Sequence, residues 1–253
     1  MENEVVISNY SILIASGLVV ISLFFSHMQK IKLEKEIVIS VIRAVLQLIV
    51  IGYVLEYIFG LESRFFTTLL LISMVLNASY NATKRGKDIK KIFWASAIAI
   101  ATGASVTLSI LVLSGAILYE PHEIIPVSGM IIANATVAMG LCYKQMSSEF
   151  KSRRIEVETK LSLGANILCS SKEIIKEAIR TGMVPTIDSA KMLGVVSLPG
   201  MMTGLILAGV SPVVAIKYQI MVTFMLLSTT AISSFIACYL VYKKFYNSRK
   251  QLI

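Results

Sequence analysis

The sequence predicts an all-α polytopic integral membrane protein with about seven transmembrane helices. Of its 253 residues, 56% are hydrophobic and 15% are charged, whereas about 25% of the residues of a soluble domain are charged. The mean hydropathy is +0.76, and several apolar runs reach the roughly 20 residues that a helix needs to cross the hydrocarbon core. These runs are continuous and do not alternate with a period of two, so helices are predicted rather than a β-barrel.

The apolar runs define the predicted spans and one transmembrane domain over residues 1–253. In chain order the spans are 9–28, 37–58, 65–82, 92–118, 128–146, 183–209 and 216–242.

The basic residues lie on alternate connections between these spans. Three fall in 29–36, five in 83–91, eight in 144–182 and four after residue 242, which accounts for 20 of the 24 lysines and arginines. Because the basic side of a membrane protein faces the cytoplasm, we expect the N-terminus outside and the C-terminus inside a multi-pass protein of the cell membrane. The net charge of +9 thus reflects topology and does not indicate nucleic acid as a partner.

The long connection 147–182 is predicted to form a helical hairpin in the cytoplasm. Gly164 can adopt the left-handed conformation that ends a first helix, and Ser170 with Glu173 has the spacing of a capping box that begins a second. One face of the first helix is apolar, through residues at spacings of four, four and three: Val157, Leu161, Ala165 and Leu168.

Three roles for this hairpin are compatible with its sequence. It could pack against the membrane helices of its own chain. It could bind a soluble partner, since an amphipathic helix in another protein's groove is a common recognition mode. Its basic content also suits a helix that lies on anionic lipid.

Longer segments resemble a known family. ETKLSLGANILCSSKEIIKEAIRTGMVPTI, residues 158–187, is similar in layout to the cytoplasmic coupling loop of ABC-transporter permeases. GVVSLPGMMTGLILAGVSPVVAIKYQIMVTFML, residues 194–226, together with NATVAMG at 134–140, resembles the FetB family of iron-export permeases and the similar plant aluminium-tolerance permeases. The N-terminal half fits that family by span number, length and charge pattern.

The resemblance implies a permease subunit that exports a metal cation, iron, from the cytoplasm. It also implies a separate FetA-like ATP-binding subunit, with two copies of each chain in the complex. No G-x-x-x-x-G-K-[ST] phosphate loop occurs in the sequence, so ATP hydrolysis is expected on that partner and this chain is predicted to be neither an enzyme nor a cofactor-binding protein. The residues expected to contact the ATPase are Leu161, Gly164, Ala165 and Ile174.

Several polar side chains fall inside the predicted spans. Arg43 and Gln47 share a face of the second span, where Arg43 either extends toward the cytoplasm or lines the translocation path. Asn77 and Asn81 fall one turn apart in the third span, and Asn134 lies in the fifth. Such amides either bond neighbouring helices or line a path, and bonding between helices is the commoner role.

Asp188 and Lys191, at i and i+3 in the sixth span, form a mutually neutralising pair in the simpler interpretation. A carboxylate at this depth usually faces a bundle interior or a wet cavity, so Asp188 is also the candidate metal contact. Met201 and Met202 provide thioethers, which suit soft ions better than Fe(II) and are also common packing residues.

The sixth span contains a predicted kink. Pro199 lacks a backbone donor and is expected to kink the helix, while Gly200 and Gly204, one turn apart, leave a flat face for a close helix crossing within the chain or with a second copy. This kink is the candidate moving part of the path, along with the residues around it.

Two other classes of function fit the sequence less well than a permease subunit does. A self-sufficient channel or secondary transporter would show internal repeats with paired broken helices, but the sequence has one broken segment and no convincing repeat. An intramembrane enzyme would need a cluster of catalytic side chains, which two separated histidines, His27 and His122, do not supply.

Overall fold

The computed structural model describes residues 9–61, 63–86, 89 and 91–253. The elements named within these residues are nine α-helices and one short 3₁₀ helix. They are α1 (Asn9–Met28), α2 (Glu34–Leu61), α3 (Arg64–Arg85), α4 (Phe93–Leu113), α5 (Pro121–Ser152), α6 (Arg154–Ser162), α7 (Ile167–Met192), α8 (Gly200–Leu207), α9 (Pro212–Val241) and the 3₁₀ helix Tyr242–Phe245.

The chain divides into two compact units, Met1–Leu61 and Glu62–Ile253. In the first unit α1 packs on α2, and the Ser26 hydroxyl donates to a Glu34 carboxylate oxygen at 3.1 Å across the turn between them. The prediction of one domain over residues 1–253 stays a prediction.

The second unit is built around α5, which contacts α3, α4, α6, α7 and α9. The apolar face of α5 explains this position, since Ile131, Met139 and Tyr143 along it are all fully buried. Close approaches occur at small residues: a Cβ at Gly103 of α4 would stand 3.3 Å from the Thr229 carbonyl oxygen of α9. Helices in an apolar solvent associate through such contacts.

Buried hydroxyls join the helices of the second unit. Thr107 of α4 and Thr229 of α9 are hydrogen-bonded at 2.8 Å, and Ser233 of α9 donates to the Ala99 carbonyl oxygen at 3.2 Å. Ser96 and Tyr143 bond at 2.9 Å. Each bond satisfies polar atoms of side chains that are buried.

The all-helical, membrane-spanning class is confirmed. Five helical segments are long and apolar enough to cross a membrane, and α1 contributes a shorter apolar segment, Ile14–Met28. The five are Glu34–Gly60, Arg64–Arg85, Phe93–Leu113, Pro121–Ser152 and Pro212–Phe245. Residues 1–8 of the predicted outer N-terminus, and residues 87, 88 and 90 of the basic connection 83–91, lie outside the described residues.

The predicted span 183–209 is not one helix. α7 ends at Met192, a link covers residues 193–199, and α8 begins at Gly200. The preceding hairpin is confirmed, since Gly164 has a φ of +90° between α6 and α7. The predicted start of the second helix at Ser170 is wrong, because Asn166 caps α7 by accepting from the Cys169 N–H at 2.7 Å.

Candidate functional site

The break between α7 and α8 opens beside a cavity of about 410 Å³ in the second unit. Its walls come from α5, α7, α8, α9 and the link, and its apolar lining is interrupted by five polar side chains. These are Asn134, Thr186, Ser189, Gln219 and Thr223.

The link is a compact turn. The N–H groups of Val196 and Ser197 both donate to the Met192 carbonyl oxygen, at 3.0 and 3.2 Å, and Gly194 adopts a φ of +77°. Pro199 then precedes α8 in an extended conformation. The predicted kink at Pro199 is therefore corrected: α7 ends before Pro199, and this proline is the last residue before α8.

The α7 wall packs tightly on α5 at Gly182 and lacks a backbone hydrogen bond at Pro185. At Gly182 a Cβ would stand 2.9 Å from the Ala138 carbonyl oxygen of α5, so α7 and α5 are in backbone contact there. Pro185 lies inside α7 and has no N–H to donate to the carbonyl one turn earlier. The wall residues Thr186 and Ser189 follow directly.

The α9 wall carries an unpaired acceptor. The Gln219 Oε1 atom is buried and forms no hydrogen bond within the described residues. Thr223, one turn further on, donates its hydroxyl to the Gln219 carbonyl oxygen at 2.8 Å, which leaves its oxygen free to accept. Because an unpaired buried acceptor is costly, Gln219 is a strong candidate to contact a bound solute.

On the α5 wall, the Asn134 side-chain amide donates to the Met130 carbonyl oxygen at 2.9 Å. Its own carbonyl oxygen remains available as an acceptor. Deeper in the bundle, the hydroxyls of Thr186 and Thr230 lie 3.4 Å apart and connect α7 to α9.

The cavity is chemically neutral. Amide and hydroxyl oxygens and the Met201 thioether line it, with neither a carboxylate nor an imidazole among the lining residues. Within the described residues no group of three or more His, Cys, Asp or Glu could hold a metal ion. Since Fe(II) prefers imidazole and carboxylate ligands, these oxygens suit contact with the water or ligands around a cation better than direct coordination.

Four predicted path residues line this cavity: Asn134, Pro199, Gly200 and Met201. Met202 and Gly204 lie on α8 outside the lining. A Cβ at Gly200 or Gly204 would have no neighbour within 4 Å among the described residues, so the close helix crossing predicted within the chain is wrong at this face, and a crossing with a second copy stays a prediction.

Asp188 and Lys191 form the ion pair that their spacing predicts, with 3.0 Å between Lys191 Nζ and an Asp188 carboxylate oxygen. The pair lies on the exposed face of α7 and is not part of the cavity lining. A cation contact at Asp188 stays a prediction.

The other predicted path residues are not among those that line the cavity. The Asn81 amide donates to the Asn77 side-chain oxygen at 2.7 Å on an exposed face of α3. Arg43 and Gln47 lie on α2 in the first unit, and their role in a path stays a prediction.

The hairpin presents three of its four predicted contacts. Gly164 is exposed, while Leu161 and Ala165 are half-buried. Ile174 is 2% exposed, so its predicted contact with a partner is wrong: it packs inside, against residues such as Met146 and Val157. Leu163, at the turn, is 82% exposed, and sequence reasoning missed it because it lies outside the periodic apolar face.

Sequence reasoning also missed most of the α7 and α9 walls of the cavity. Gln219 and Thr223 fall one turn apart in an apolar helix, the same signal that identified Asn77 and Asn81, and could have been found by it. Thr186 and Ser189 gave no such signal, because the charged residues Asp188 and Lys191 lie among them.

Comparisons with known proteins find similar chains in bacteria and plants. Residues 9–246 match the model of Uncharacterised protein family UPF0014. The chain is 52% identical over 247 residues to the Probable iron export permease protein FetB of Escherichia coli strain K12, covering 98% of this chain and 95% of FetB. No solved structure matches the chain.

More distant relatives come from plants and other bacteria. Protein ALUMINUM SENSITIVE 3 of Arabidopsis thaliana is 36% identical over 240 residues, covering 94% of this chain and 88% of the plant protein. The UPF0014 membrane protein YjkA of Bacillus subtilis strain 168 is 37% identical over 234 residues, covering 92% and 94% of the two chains.

Proposed function

Because the chain belongs to the UPF0014 family, we propose that it is the permease subunit of an ABC transporter that exports iron from the cytoplasm. The observation that carries the proposal is the 52% identity, over nearly the whole chain, to a protein named as an iron export permease. The structure supports it because α7 is one arm of the helical hairpin and also forms a wall of a cavity that five polar side chains line.

α7 suggests how a conformational change driven by ATP hydrolysis on a partner would be transmitted to the cavity. α7 has 26 residues and is therefore about 39 Å long. Its first turns form one arm of the hairpin, and its last turns carry Thr186 and Ser189 of the cavity wall. A FetA-like ATPase that displaces the hairpin would move this wall, with Pro185 and the link at 193–199 as the places that absorb the change.

The topology proposed here has seven crossings, the N-terminus outside and the C-terminus inside. The end of α7, the link and α8 together form the sixth crossing. Broken helices of this kind are tolerated at membrane depth where they line a cavity. The open face at Gly200 and Gly204 is then a candidate contact with a second permease copy in a complex of two permeases and two ATPases.

Cellular iron tests the substrate. A strain that lacks the gene should accumulate iron and lose tolerance of excess iron, and the unaltered gene should restore both. Gln219→Leu should restore both only in part, whereas Asn81→Leu, outside the cavity, should restore both in full. Unchanged iron content and tolerance in the deletion strain would remove the export assignment.

Purification from detergent-solubilised membranes tests the ATP-driven class. The tagged full-length chain should co-purify with a P-loop ATPase, and Gly164→Trp should lower both its recovery and transport. If no ATPase co-purifies and Gly164→Trp transports normally, a self-sufficient channel or secondary transporter becomes the better account.

A further inference from the structure

After the 3₁₀ helix the chain turns back on itself and forms a closed hook, residues 246–252. Tyr246 and Leu252 pair as an isolated antiparallel bridge, and the Ile253 N–H donates to the Phe245 carbonyl oxygen at 2.9 Å. The hook therefore brings Ile253 back beside Phe245, the residue that precedes the hook.

Asn247 organises the hook. Its side-chain oxygen accepts from the N–H groups of Arg249 and Gln251, both at 2.9 Å, and its backbone N–H donates to the Gln251 carbonyl oxygen at 2.9 Å. Lys250 at the tip adopts a φ of 61°, which non-glycine residues rarely do. Such a set of bonds fixes the positions of Arg249 and Lys250.

The hook is anchored beneath the hairpin. The hydroxyls of Tyr246 and Ser171 of α7 are hydrogen-bonded at 2.6 Å. Phe245 stacks on Phe150 of α5 with ring centroids 4.2 Å apart, and Leu252 is buried in the cluster that supports α7. Hook and hairpin are thus parts of one packed structure.

Between them lies a groove of about 820 Å³. One wall comes from the α6–α7 turn, through Leu161, Gly164 and Asn166, and the other from Arg249 and Lys250 of the hook. Arg154 of the groove is paired with Glu158 at 2.8 Å. Arg249 and Lys250 form no ion pair within the described residues, so the hook wall presents two unpaired cations.

We propose that this groove binds an acidic segment of the ATPase subunit, with Arg249 and Lys250 as its second wall. This inference rests on the proposed function, because it assumes that the hairpin docks an ATPase, and it adds the hook to that surface. The cations suit carboxylates through charge complementarity, while Leu161 on the opposite wall provides apolar contact.

The surroundings favour a protein segment over a lipid surface. The groove is concave with two opposed walls, and the hairpin carries Glu156, Glu158 and Glu173 beside its cations. A helix that lies on anionic lipid instead presents a uniformly basic face.

The test measures binding of the purified FetA-like ATPase to the full-length permease in phosphatidylcholine nanodiscs. The variant is Arg249→Glu with Lys250→Glu, and the matched control is Lys243→Glu with Lys244→Glu, the same charge change at exposed positions outside the groove. We expect the hook variant to bind about tenfold more weakly and the control to bind within about twofold of the unaltered chain. Equal binding by the two variants would overturn the proposal.

Further arms separate the possible failures. If the unaltered permease does not bind the ATPase, the proposed function itself fails. If Gly164→Trp weakens binding and the hook variant does not, the hairpin docks the ATPase and the hook inference fails alone. If the hook variant binds the ATPase as tightly as the unaltered chain, and the nanodiscs that contain it bind phosphatidylglycerol vesicles more weakly, the groove recognises lipid and the inference is overturned.

A neutral version guards against misfolding. If the charge-reversed permease cannot be purified, Arg249→Gln with Lys250→Gln replaces it, with an expected weakening of about threefold that increased salt no longer deepens. Salt dependence equal to that of the unaltered chain would contradict the charge-based contact.

Discussion

Gly182 of α7 lies so close to Ala138 of α5 that a Cβ atom at Gly182 would stand 2.9 Å from the Ala138 carbonyl oxygen. A side chain there would also collide with the Cys142 sulfur. This contact divides α7 into a part that belongs to the hairpin and a part that lines the cavity.

Enlarging Gly182 should separate the two helices. Gly182→Ala is expected to lower the free energy of unfolding by about 1–3 kcal/mol because the backbone of α5 cannot yield. Thermal unfolding of the detergent-purified protein measures this change, and Gly200→Ala, with no neighbour within 4 Å of the new atom, is the control. Equal melting temperatures for the two variants would show that the helices do not pack as described.

Removing the buried acceptor of the cavity should affect transport more than stability. Gln219→Leu replaces an unpaired Oε1 atom with an apolar group, so stability should hold or rise. The apparent affinity for the transported substrate should fall about tenfold through the loss of one contact. The transport kinetics of Gln219→Leu and Asn81→Leu are compared to test this expectation. A larger transport defect in Asn81→Leu would show that the path does not run through this cavity.

The Asp188–Lys191 pair offers a test by double substitution. Asp188→Asn leaves Lys191 without its partner and should lower the amount of inserted protein, since an unpaired charge in a span is costly. Asp188→Asn with Lys191→Gln should recover both insertion and transport. If the double variant inserts normally and fails to transport, the carboxylate contacts the cation directly.

The bond between Tyr246 and Ser171 should keep the hook closed. Burial raises the pKa of the Tyr246 hydroxyl above its ordinary value, while the Ser171 bond lowers it in part, so the group is protonated at neutral pH. Tyr246→Phe removes this bond, worth about 1 kcal/mol, and should speed tryptic cleavage after Arg249 and Lys250 about fivefold. The exposed Tyr239→Phe is the control, and equal cleavage of both variants would show that the bond does not hold the hook.

The helical class and the hairpin could be predicted because local sequence determines them. Continuous apolar runs form helices in a membrane wherever they occur, and Gly164 ends α6 through its own backbone freedom. The start of α7 was misplaced because Asn166 and Ser170 can both cap a helix. Which of the two does so depends on the helix register, and packing of residues such as Ile174 fixes that register.

The cavity could be predicted in part. Pro199 and Gly200 mark the break through local chemistry, and Asn134 is a polar residue in an apolar helix. Its proximity to Gln219 is a property of how α5 packs on α9, which no periodicity records. The same holds for Gly182, whose importance comes from Ala138 on another helix and not from its neighbours in the chain.

The most direct test of the account is iron uptake by inside-out vesicles that contain the permease and its FetA-like ATPase. We expect uptake that requires ATP and both subunits, and that falls in Gln219→Leu while Asn81→Leu retains it. Uptake that proceeds without ATP or without the ATPase, or no iron uptake by vesicles in which both subunits are assembled, would contradict an ATP-driven iron exporter.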